Sequence, residues 1–165
     1  MQKRGQLLGL PLILIFGLIV GTLILFFGIR WIQNLVLEAE YINTLDTIGE
    51  IENTIKTFRN YDAGSSKIYS LQIPTRIEKI CFYDFSADVR CKSNGEPCSA
   101  EDEDLLHLVL DDKYNVYILP QGLYDTNRYS IEPFQLEGGN PLCVSPGGEI
   151  LFTADEDAVT IAYHG

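Results

Sequence analysis

From Gly5 to Ile29 the chain carries no charged residue, and from Leu7 onward nearly every position is Leu, Ile, Val, Phe or Gly. An α-helix rises 1.5 Å per residue, so about 20 apolar residues cross a hydrocarbon core about 30 Å thick. In lipid a backbone must satisfy its own polar groups, which makes such a segment helical despite Pro11 and its glycines. Pro11 falls in the first turns, where a missing hydrogen bond costs least. A secretory signal peptide has a shorter apolar core, roughly 7–15 residues, followed by a small-residue cleavage site. Here the run is longer and continues into Arg30-Trp31-Ile32-Gln33, with Trp31 placed as an interfacial aromatic anchor. Residues 7–29 are therefore expected to stay on the protein as a transmembrane helix. Lys3 and Arg4 precede it and Arg30 alone follows it. The positive-inside rule then puts the leader, residues 1–6, in the cytoplasm and everything after the span outside.

Gly17 and Gly21 form a GxxxG, and Gly28 lies one heptad beyond Gly21 on roughly the same face. Small residues on one stripe let helices approach closely, so these three are candidate helix-packing positions. The apolar pattern continues past the membrane: Leu35, Ala39, Ile42, Leu45, Ile48, Ile51, Ile55 and Phe58 recur at steps of three and four. That is the signature of an amphipathic helix, expected over residues 30–62, with its stripe set to cover a sheet. The steps average slightly under 3.5, so the stripe drifts and changes partner along its length. A loop-forming cluster, Tyr61-Asp62-Ala63-Gly64-Ser65-Ser66, ends it and supplies a candidate C-terminal glycine in Gly64.

Residues 63–165 read as a β-rich head. Ile68–Ile73, Ile77–Tyr83, Tyr114–Leu119, Leu142–Val144, Ile150–Phe152 and Ala158–Tyr163 have strand character, and turn residues separate them. Asp111-Asp112-Lys113 between Leu105–Leu110 and Tyr114–Leu119 predicts a hairpin, Pro146-Gly147-Gly148 predicts another turn, and Cys91 to Cys98 reads as a polar loop. The expected class is α+β: a long N-terminal helix, half transmembrane and half amphipathic, followed by a compact antiparallel sheet.

The charge is just as unevenly divided. All 23 acids lie beyond residue 30, against 9 of the 12 basic residues, a net of −14 for that part of a chain whose total is −11. Such a surface keeps a domain soluble and repels phosphates, which argues against a nucleic-acid partner. The four cysteines, Cys81, Cys91, Cys98 and Cys143, all lie in the acidic part, and an even number outside a membrane suits two disulfides. Three pairings are open to them; the preferred one closes Cys91 on Cys98 and joins two strands through Cys81 and Cys143. Zinc would need short ligand pairs such as C-x₂-C, which are absent, and neither His107 nor His164 has a ligand spacing, so no metal or cofactor is expected.

No catalytic constellation is legible. Glu101-Asp102-Glu103-Asp104, with Asp111 and Asp112, lacks the spacing of a calcium loop and reads as a solvated segment. His107 lies among leucines, and His164 is next to the C-terminus, where fraying is expected. There is no G-x-S-x-G, phosphate loop or dinucleotide fingerprint, and oxidised cysteines leave no thiolate. The chain is not expected to be an enzyme.

Lys3-Arg4-Gly5-Gln6, followed at once by a long apolar helix that runs on as an amphipathic one, resembles the precursor of type IV pilins, the archaeal kind in particular. The resemblance covers roughly the first 60 residues in layout and the head only in general character. It implies cleavage between Gly5 and Gln6 by a prepilin-type peptidase, retention of the helix, and its packing with copies of itself in a filament core with β-rich heads outside. Two positions depart from the family pattern. Leu10 stands at the fifth mature position, where pilins usually carry a glutamate that pairs with a neighbour's terminal amine, and Leu8 stands where archaeal members often have serine. The expected function is a structural subunit of a surface filament or of its assembly machinery. The alternative is a single-pass membrane protein whose outer domain binds a partner or envelope component without forming a filament.

Overall fold

In the computed structural model, residues 6–88, 90–100, 103 and 113–165 are described, with side chains from residue 11 onward. The class is α+β. One helix, α1, runs from Gln6 to Phe58, and ten strands follow: β1 (Ser66–Ser70), β2 (Lys79–Phe82), β3 (Lys92–Ser93), β4 (Glu96–Pro97), β5 (Val116–Leu119), β6 (Arg128–Tyr129), β7 (Gln135–Glu137), β8 (Leu142–Val144), β9 (Glu149–Ala154) and β10 (Val159–His164). The residues up to Tyr41 form one unit and Ile42–Gly165 form the other, so the head includes the last turns of α1. The helix closes with the amides of Asn60 and Tyr61 reaching back to Thr57 and Phe58. Gly64, with a φ of 89°, is not its cap; it turns the chain into β1 and donates its amide to Ala154.

The strands form two sheets rather than the single sheet expected from sequence. One has the order β1-β9-β10-β7 and the other β4-β3-β8-β2-β5-β6. Most pairings are antiparallel, but β10 with β7 and β3 with β8 are parallel. The turn at Pro146-Gly147-Gly148 joins strands in different sheets, because its backbone pairs with Leu71 and not across a hairpin: Leu71 donates to the Gly148 carbonyl and accepts from the Gly147 amide. The expected hairpin partner of β5, Leu105–Leu110, lies outside the described residues. Within them β5 pairs with β2 and β6.

Successive residues of a strand point to opposite faces, and β2, β5 and β8 are almost wholly buried because both of their faces are covered, each by its own cluster. Ile80, Phe82, Val116, Ile118, Leu142 and Val144 join Ile150, Phe152 and Ile161 of the other sheet and Ile48, Ile51, Ile55 and Phe58 of α1 in the main core. Cys81, Tyr117, Leu119 and Cys143 build a second cluster with Cys91. The helix stripe is corrected as well. Only its part from Ile48 to Phe58 is buried, joined by Thr44, Thr47 and Thr54, whereas Leu35, Ala39, Ile42 and Leu45 remain exposed.

Candidate functional site

The feature that most needs explaining is the surface of α1 before Tyr41. Every leucine, isoleucine and phenylalanine from Leu12 to Ile32 is at least half exposed, and Trp31 is 72 % exposed. Water does not tolerate a continuous apolar surface of that extent, so lipid or other protein must cover it. The segment is long and apolar enough to cross a membrane. Its few polar groups are accommodated locally. The Thr22 hydroxyl donates to the Leu18 carbonyl at 2.7 Å, and the Arg30 guanidinium lies 6.0 Å from the Phe26 ring centroid.

Gly17, Gly21 and Gly28 fall within about 40° of arc at 100° per residue. A Cβ added at any of them meets nothing within 4 Å. Nothing inside the chain asks for glycine here, yet each costs about 1 kcal/mol relative to alanine in a helix. Beside Gly28 the missing side chain leaves a shallow notch walled by Val20, Ile24, Phe27 and Trp31. Gln6 opens the helix, and Gly5 lies outside the described residues.

In the second unit the disulfides join Cys81 to Cys143 and Cys91 to Cys98, and no described cysteine is free. Cys81 and Cys143 are direct cross-strand partners on β2 and β8, with Cα atoms 3.9 Å apart. Two disulfides suit an oxidising, extracytoplasmic environment. The segment between Cys91 and Cys98, read above as a polar loop, is a two-residue hairpin of β3 and β4. Its turn is Asn94-Gly95, at φ 49° and 81°. Sequence reasoning passed over this pair although Asn-Gly is the strongest short hairpin signal. A Cβ on Gly95 would come within 2.9 Å of the Tyr163 ring, so both conformation and space require glycine. Asn94 also clasps Ser145, accepting its amide and donating to its hydroxyl.

Contacts between α1 and the sheets within this unit were also missed, because they use polar groups. The Thr47 hydroxyl reaches the carbonyls of Asn43 and Gln72, and the Tyr69 hydroxyl donates to Glu50 at 2.7 Å. Burial, with the Glu50 bond reinforcing it, pushes the Tyr69 phenol well above its ordinary value. Arg59, just past the helix, donates to Glu132 at 2.9 Å and to the Pro133 carbonyl at 2.8 Å.

The residues considered for chemistry are not brought together. His164 is exposed opposite Glu149 at the end of β10; His107, Asp111, Asp112 and all but Glu103 of the run from Glu101 to Asp104 lie outside the described residues. Among the described residues no group of three or more His, Cys, Asp or Glu is placed to hold a metal ion. No protein-family model, curated protein or solved structure matches the chain.

Proposed function

We propose that this chain is a structural subunit, a pilin or pilin-like protein of a surface filament or of the machinery that assembles it. Its partners are the membrane, copies of itself through α1, and a prepilin-type peptidase that cuts between Gly5 and Gln6. The leader faces the cytoplasm, the head lies outside the membrane, and the processed chain enters the filament.

One observation carries this reading: α1 runs unbroken for 53 residues, and apolar residues on it stay exposed beyond the length needed to span a bilayer. Leu35 and Val36, past the expected end of the span at residue 29, are 57 % and 45 % exposed. Packing against other copies of the same helix covers both the span and this extension, and three glycines with open space around them suit close approach. The alternative, a single-pass protein whose outer domain binds a partner without a filament, is favoured by Leu10 at the place where a pilin glutamate pairs with a neighbour.

Mass spectrometry of the N-terminus from native membranes tests the proposal. A mature chain beginning at Gln6, with or without the ammonia lost when an N-terminal glutamine cyclises, is the expected result. An intact Met1 on a monomeric, detergent-solubilised protein overturns it.

A further inference from the structure

Independently of any filament, we propose that a cavity in the head beside Asp84 binds an alkylammonium group, the side chain of a lysine on another polypeptide. The cavity, about 450 Å³, is bounded by Arg59, Tyr83, Asp84, Phe85, Phe134 and Asp157 among others. That is the size of a small-ligand pocket.

Asp84 is the reason to assign it a ligand. The residue is only 7 % exposed, and the Asn140 side chain holds it in place by accepting its amide and donating to its carbonyl. Its Oδ1 accepts from the Ser86 amide at 2.8 Å and from the Ser86 hydroxyl at 2.6 Å. Both of these bonds go to Oδ1, which leaves Oδ2 to water or to a ligand in the cavity. The turn does not need the carboxylate charge, since an asparagine oxygen would accept the same two bonds.

The surroundings select the kind of cation. Tyr83 and Phe85 stand with ring centroids 5.4 Å apart at 88°, two perpendicular walls, and Phe85 is 48 % exposed. A cation gains from the faces of such rings. The remaining charges are Asp157 and Arg59, and Arg59 is already neutralised by Glu132. Calcium takes six to eight oxygens, usually with several carboxylates, and among the described residues no group of three or more His, Cys, Asp or Glu is placed to hold a metal ion. A guanidinium pairs best with both oxygens of a carboxylate, whereas Asp84 has one left, which suits the point charge of an ammonium. Apolar walls at Phe134 and Pro133 fit its methylene stem.

The test is titration of the full chain in dodecyl maltoside micelles with Nα-acetyl-lysine N-methylamide at about 0.15 M salt, where exposed charges are screened. The amide resonances of Phe85 and Ser86 report binding. We expect saturable shifts, weakened about fivefold or more for the neutral norleucine analogue, for Asp84→Asn and for Phe85→Ala. Asp84→Asn keeps the acceptor for Ser86, and Phe85→Ala removes a half-exposed ring, so the second variant decides if the first does not fold. Asp125→Asn, an exposed acid elsewhere, should leave binding unchanged. Absence of saturation, equal binding of the norleucine analogue, or an equal loss with Asp125→Asn overturns the proposal.

Discussion

The Tyr69 hydroxyl donates to Glu50 at 2.7 Å, tying strand β1 to helix α1 at the edge of the main core. Because the folded state holds that proton more tightly than the unfolded chain, the contribution is complete below pH 10. Above it, the folded state binds more protons than the unfolded one, so stability falls as pH rises. Tyr69→Phe should cost about 0.5–1 kcal/mol at pH 8, a modest figure because the pair is partly solvated. The difference from wild type should shrink between pH 10 and pH 11.5, read as urea midpoints. A difference that grows over that range would contradict the assignment.

The buried face of α1 sets a second contrast. Ile51 is 1 % exposed and Ile42, on the same helix, is 53 % exposed. Ile51→Ala should destabilise the head by about 2–5 kcal/mol, whereas Ile42→Ala should change it by about 0.5 kcal/mol or less. Chemical denaturation followed through the tyrosine signal of the head measures both.

The face that the head covers was only half legible in the sequence. Apolar spacing located α1 and its Ile48–Phe58 anchor, but Thr44, Thr47 and Thr54 complete that face and a count of apolar residues treats them as solvent-facing. Conversely Leu35, Ala39, Ile42 and Leu45 are apolar and exposed, since periodicity marks a face without saying whether its cover is the same chain. The strands near Cys81 and Cys143 were readable from β-branched and aromatic runs. The division into two sheets was not, because Pro146-Gly147-Gly148 specifies a turn and only the pairing with Leu71 decides where the chain goes next. The Asp84 cavity was invisible for a similar reason. Tyr83 to Phe85, Phe134 and Asp157 come from three separate segments, and no spacing signals their meeting.

The disulfides differ in the length of chain they close. Cys81 and Cys143 are 62 residues apart, Cys91 and Cys98 only 7. In the chain-entropy account the first contributes about 4 kcal/mol and the second about 2. Replacing Cys81 and Cys143 together by alanine should therefore lower the unfolding midpoint more than replacing Cys91 and Cys98 by serine. Thermal scans of the two double variants give the comparison.

The glycines of the membrane half give a prediction about assembly rather than stability. Since a side chain at Gly21 meets nothing within its own chain, Gly21→Ile should leave the urea midpoint of the head within about 0.5 kcal/mol of wild type. Its effect should fall on helix–helix approach. Disulfide cross-linking between copies bearing Gly17→Cys should form in the wild-type background and drop severalfold with Gly21→Ile.

The central claim is that the exposed surface of α1 is covered by copies of itself in a filament. Electron microscopy of material sheared from the cell surface, labelled with an antibody to the head, tests it most directly. The account predicts labelled filaments from cells making the wild-type chain, and their loss with Gly21→Ile while the membrane pool persists. Label confined to the membrane fraction, with the chain monomeric there, would contradict it.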